Sequence, residues 1–180
     1  MADDRDEPTT PHPASSDAPP PSDTQSANAQ SGQAEPPYQI LIQYIKDMSF
    51  ENPNSPSVFS LGEQPKAALT LDVATNPLTG RDVEVVLTIE AKADVNGKTA
   101  YVLELAYAAV VRIGNVPKEA LNALLYVEIP RMLFPFLREI VCDTTRQGGF
   151  SMLMLAPFDF VQIYRQRMAQ EQQQAETETV

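Results

Sequence analysis

From Tyr38 to Glu51 the chain reads YQILIQYIKDMSFE, and its apolar and polar residues alternate. Tyr38, Ile40, Ile42, Tyr44, Lys46, Met48 and Phe50 take the even positions, while Gln39, Gln43, Asp47, Ser49 and Glu51 take odd ones. A period of two predicts a strand with one apolar and one wet face. In ALTLDVAT, Leu69, Leu71 and Val73 oppose Thr70 and Asp72; in RDVEVVLTIEAKA, Val83, Val85, Leu87 and Ile89 oppose Asp82, Glu84, Thr88 and Glu90. Asn76, Pro77 and Gly80 between those two stretches suit a tight connection. A fourth strand, TAYVLELAYAAVVRI, follows VNGK, whose Asn-Gly is a strong hairpin signal. Its odd face holds Tyr101, Leu103, Leu105 and Tyr107, and its even face sets Val102, Ala106 and Val110 around Glu104. Apolar residues on both sides mark a central or interface strand. Four strands with short links predict an antiparallel meander.

After residue 115 the period changes. Asn115 and Pro117 suit the cap and first turn of a helix. Leu121, Leu124 and Leu125 recur at helical spacing, as do Leu133, Phe136, Leu137, Ile140 and Val141. Pro130 and Pro135 should break or kink this long helix, since each removes a backbone donor and crowds the preceding turn. FSMLML is extended or looped. Asp159, with Gln162 three residues on, caps a second helix whose stripe is Phe160, Ile163, Tyr164 and Met168, and Phe158 is placed to staple against Ile163. The fold class is therefore α+β: a four-stranded antiparallel sheet packed on one side by a long kinked helix and a C-terminal helix.

Composition trims both ends. Residues 1–37 hold eight of the 16 prolines and seven acids against Arg5, a net charge of −6 out of −11. With almost no large apolar residue, this acidic leader cannot offset its ordering entropy and reads as disordered. Residues 171–180 read as a disordered polar tail, leaving 38–170 as the folded domain. MADDRDEPTT is no secretory signal, and no run approaches the 18 or so uncharged apolar residues that cross a bilayer. An acidic chain without a basic stripe is a poor match for nucleic acid and a better one for a basic protein.

Candidate chemistry is sparse. The single histidine, His12, lies in the leader, and the single cysteine, Cys142, has no structured histidine to pair with and reads as a small core residue. One cysteine forms no internal disulfide, which fits a reducing, cytoplasmic setting. Gly148-Gly149 reads as a helix stop and not as a phosphate loop. Paired carboxylates, Asp47 with Glu51 or Glu84 with Glu90, could in principle serve a hydrolase. A flat solvated strand face offers neither the burial nor the cleft that would separate their pKa values.

Three stretches in order, KDMSFENPNSP at 46–56, LFPFLRE at 133–139 and MLAPFDF at 154–160, resemble SecB, the bacterial protein-export chaperone family. The likeness covers roughly residues 38–170 and extends to acidic tails; the long Pro-rich leader departs from it. The resemblance implies a non-enzymatic homotetramer, a dimer of dimers, that binds unfolded precursor proteins and hands them to the SecA ATPase. It implies that SecA's zinc-bearing, basic C-terminal segment docks on an acidic sheet face, so that this chain needs no metal or cofactor.

Carried onto this sequence, the docking positions are Asp47, Glu51, Val102 and Glu104; alternation by itself predicts only a solvated face there. Phe50, Phe59, Phe150, Met152 and Met154 flank Pro-, Asn- or Gly-rich loops. Aromatic and Met side chains give a groove for unfolded clients the exposed area and tolerant shape it requires; the alternative is that they are core. Leu103, Leu105 and Tyr107 are expected at assembly contacts, with packing under the long helix as the alternative. An adaptor serving a different machine would differ only in its docking partner.

Overall fold

A computed structural model describes residues 36–178, with side chains through residue 170. Apart from Pro36 and Pro37, the leader lies outside the described residues. Four strands, β1 (Tyr38–Glu51), β2 (Lys66–Pro77), β3 (Asp82–Val95) and β4 (Lys98–Ile113), form one antiparallel sheet in the order β1-β4-β3-β2. β2, β3 and β4 make the expected meander, and the last two join through Asn96-Gly97, both at positive φ as a two-residue hairpin turn requires.

The first strand departs from the meander: β1 pairs with β4 and lies at the opposite edge from β2. No hairpin signal links β1 to β2. Instead residues 52–65, with Pro53, Pro56 and Pro65, carry the chain to the far edge. This link is tied down by Asn54, whose Nδ2 donates to the Thr99 carbonyl at 2.9 Å, and by a short 3₁₀ turn (Ser57–Ser60) that buries Val58. β4, apolar on both sides, thereby becomes a central strand.

On one side of the sheet runs a helix from Lys118 to Gln147: α1 (Lys118–Ala123), a π-helical stretch (Leu124–Glu128) and α2 (Ile129–Gln147). Pro130 does not end the helix. Its missing N–H is accommodated by a widened turn, in which the Ile129 amide reaches back to the Leu124 carbonyl, and Pro135 lies inside α2. Pro117 stands at the N-cap position itself, and no side chain caps this end. Ile129, Leu133, Leu137, Val141 and Thr145, spaced by four, face the sheet and are buried. By length and composition alone this helix is apolar enough to cross a bilayer, although Glu128 and Arg131 interrupt its uncharged run. Its apolar stripe is accounted for by the sheet beneath it.

α3 (Phe160–Glu178) begins where Asp159 Oδ1 accepts the amides of Val161 and Gln162, as expected. Its backbone stays helical to Glu178, through most of the stretch expected as a tail, since Ala, Gln and Glu are good helix formers. α3 is anchored by Arg167, which lies 4.9 Å from the centre of the Tyr126 ring and donates to the Val73 carbonyl, and by stacking of Tyr164 on Tyr126. The core is the odd face of β4, the matching face of β3 and the sheet side of the helices.

Candidate functional site

Two local irregularities decide what β1 presents. Register shifts occur between Ile40 and Ile42 and between Ile45 and Asp47, so that Leu41 and Lys46 are extra residues. Each bulge flips the phase of the residues beyond it. Tyr38, Ile40, Gln43, Ile45, Met48 and Phe50 pair with the odd, helix-facing residues of β4, while Gln39, Ile42, Tyr44, Asp47, Ser49 and Glu51 pair with the even ones. Strict alternation put Ile42 and Tyr44 with Met48 and Phe50. The structure places them on the opposite side, because the first bulge moves them over and the second restores the phase beyond Lys46.

The side away from the helices gathers the acids. Asp47 stands opposite Ala106, Ser49 opposite Glu104 and Glu51 opposite Val102, and Asp47, Glu51 and Glu104 are exposed. All four expected docking residues therefore share one open face on neighbouring strands. Two acids were not among them. Glu90 on β3 is exposed directly opposite Glu104, and Asp72 on β2 is exposed opposite Thr88 in the same face. The alternation of β2 and β3 marked both as polar-face residues, but only pairing shows which strand lies next to which. Glu90 against Glu104 is an in-register like-charge pair, an arrangement that costs a sheet stability.

Nearer the other end of this face Glu84 is buried, at 7 % exposure. Its carboxylate accepts from Tyr44 Oη, from Lys46 Nζ at 2.7 Å and from Asn76 Nδ2 at 2.7 Å. Those donors, Lys46 foremost, hold its pKa down to about 2 against the opposing effect of burial. The same carboxylate raises the Tyr44 phenol. Ala108, fully buried opposite Tyr44, presents only a methyl group between β1 and β3, the two strands that flank β4.

On the helix side, at the β1 C-terminal end, aromatic rings form a chain. Phe50 stacks on Tyr101 at 5.6 Å, Tyr101 meets Phe150 at 4.9 Å, and Phe150 meets Phe59 at 5.2 Å. Gly148 and Gly149 let the backbone pass close: a Cβ on Gly148 would come within 2.4 Å of Phe50 Cζ. Phe59 and Phe150 line a recess of about 220 Å³ with Val58, Gly62, Pro65 and Gly149. Burial pushes the Tyr101 phenol up. Phe50, Phe59 and Phe150 are thus brought together, with Tyr101 as a member that its place in the odd row of β4 did not single out. Met152 and Met154 lie farther along the loop and are largely exposed, Met154 beside the Cys142 thiol. Cys142 is half-buried and borders a second, largely apolar recess of about 450 Å³ with Phe134, Pro135, Arg138 and Pro157.

Leu103 and Leu105, expected at assembly contacts, are each 1 % exposed within the single subunit, and Tyr107 is buried against the Phe136 ring of α2. A side chain already buried has no apolar area left to remove on association, so these residues pack under the long helix.

The sequence model of the family described as Preprotein translocase subunit SecB matches residues 31–171. The chain belongs to the SecB family. Protein-export protein SecB of Afipia carboxidovorans is 51 % identical over 153 residues, covering 84 % of this chain and 94 % of that protein. Protein-export protein SecB of Bradyrhizobium diazoefficiens is 50 % identical over 134 residues, covering 74 % and 83 %. Among solved structures, the Mycobacterium tuberculosis Rv1957 SecB-like chaperone in complex with a ChAD peptide from the Rv1956 HigA1 antitoxin is similar in fold. Its TM-score is 0.57 at 17 % identity, over 68 % of this chain and 91 % of that one. As a SecB-family member the chain is a chaperone of protein export.

Proposed function

We propose that this chaperone works without chemistry of its own, in the cytoplasm, holding non-native precursors on its helix side and meeting the SecA ATPase on its open sheet face. The observation that carries the docking assignment is the in-register pair of Glu90 and Glu104, flanked by Asp47 and Glu51 on a flat exposed surface. Acids set against each other strain a free sheet, and a basic partner relieves that strain on arrival. The basic, zinc-bearing C-terminal segment of SecA is such a partner, the zinc being its own. Val102 and Ala106 supply an apolar floor between the acids.

For clients, the chain of Phe50, Tyr101, Phe150 and Phe59 ends in a recess and continues towards exposed Met152 and Met154. Aromatic rings and thioethers accept many side-chain shapes, which suits binding of unfolded segments without sequence specificity. Assembly into a tetramer would align several such surfaces and raise avidity for a long client through effective concentration.

The test separates the faces. Asp47→Ala, Glu51→Ala and Glu104→Ala should each weaken binding of the SecA segment by roughly threefold to tenfold, with the loss shrinking as salt rises. Affinity for an unfolded precursor should stay within about twofold of the parent protein. Unchanged docking by all three variants would remove the open face from the mechanism.

A further inference from the structure

A strand one residue out of phase turns every side chain to the wrong face. In β1 the phase of the functional half is set by the extra residue Lys46: were residues 46–51 to follow Ile45 in regular pairing, Asp47 would stand opposite Leu105 and Met48 opposite Glu104. The carboxylates would then point at the helices, and Met48 and Phe50 would emerge on the acidic face. Packing of Phe50 on Tyr101 favours the observed phase, and a polar contact at the bulge is what can hold the extra residue at Lys46.

Glu84 supplies that contact. Tyr44 and Lys46, respectively just before the bulge and at it, both donate to this carboxylate, which sits two strands away on β3. Asn76, directly opposite Glu84 on β2, donates to the same oxygen as Lys46 and fixes the carboxylate from the far side. One buried carboxylate thereby links β1 across β4 to β3 and β2. We propose that Glu84 is a positioning residue whose grip on Tyr44 and Lys46 locks the β1 bulge and so assigns Asp47 and Glu51 to the docking face and Phe50 to the client face. The inference rests on the proposed roles of those faces for its functional readout, but its structural readout is independent of them.

Three full-length chains test it: the parent, Glu84→Ala, and Glu84→Ala with Lys46 deleted. Deletion removes the extra residue, after which Ile45 opposite Tyr107 is followed regularly by Asp47 opposite Ala106, and no lock is required. The structural readout is the methyl NOE between Met48 and Leu105; the functional one is binding of the SecA C-terminal segment. Glu84→Ala should lose the NOE and bind roughly tenfold more weakly, and deletion of Lys46 in that background should restore both to within about threefold. Retention of the NOE in Glu84→Ala, or failure of the deletion to restore it, overturns the proposal. If Glu84→Ala does not fold, recovery of a folded chain with the NOE on deleting Lys46 supports the lock, and failure of both chains to fold overturns it. An NOE restored without docking upholds the lock and counts against the docking face instead.

Discussion

Glu84 stays ionised in a place where burial opposes charge, because three donors converge on it. Its folded pKa of about 2 lies below its ordinary value, so the ionised form is the one the fold favours. The stabilisation is fully present above the unfolded pKa and is lost as pH falls from there towards 2. Glu84→Gln removes that titration. The difference in unfolding free energy between parent and variant, on the order of 2 kcal/mol near neutrality, should therefore shrink on acidification through pH 4 to 3. Denaturant titrations at a series of pH values measure it, and a difference that does not change with pH would mean the ionised carboxylate contributes nothing. Little of this site was legible in the sequence. Glu84 fell on the polar parity of β3, but Tyr44 and Lys46 were assigned to the apolar face of β1, since nothing local marks Leu41 and Lys46 as extra residues.

At the scale of elements, the end of α2 is joined to the loop that carries Phe150 and the two exposed methionines by one buried hydroxyl. Thr145 Oγ1 lies 2.9 Å from the Val141 carbonyl and accepts the Leu153 amide at 3.0 Å. Thr145→Val keeps the shape and leaves that amide without its acceptor, which should cost about 1–3 kcal/mol in thermal or denaturant unfolding and weaken client binding by loosening the loop. Stability equal to the parent would show that the loop is held by its apolar contacts. The elements themselves followed closely from local pattern: period two for the strands, Asn-Gly for the β3–β4 turn, Asp159 for the start of α3. From sequence Pro130 is expected to break or kink the helix, because a proline's effect on its own turn is local, whereas the support that lets a widened turn carry the helix through comes from Leu124, Leu125 and Val127 being buried in the core.

At the scale of the whole molecule, β1 is a long edge strand with large apolar residues exposed on both faces, Ile42 at 56 % and Ile45 at 48 %, beside exposed Met132 and Phe136 of α2. Edge strands of this kind invite pairing with another chain, and any assembly through this edge is expected to use Ile42 and Ile45, since Leu103, Leu105 and Tyr107 are already buried within one chain. Sedimentation or native mass measurement should give four times the 19.8 kDa of one chain, and Ile42→Lys with Ile45→Lys should shift it to smaller species while far-ultraviolet circular dichroism is unchanged. A monomeric parent, or a doubly substituted tetramer, would place assembly elsewhere.

Alternation along each strand, helical spacing after Pro117 and three short motifs were enough to specify an α+β chain of the export-chaperone family, because each of those signals is carried by residues near one another in sequence. The order β1-β4-β3-β2, the like-charge pair of Glu90 and Glu104, the chain of four rings and the burial of Leu103 and Leu105 join residues far apart along the chain. Which strand neighbours which, and in what phase, is settled by packing and pairing between distant segments. The face of the sheet that Asp47 and Phe50 each occupy was therefore decided only by the pairing of β1 with β4, its bulges and the helices packed on one side.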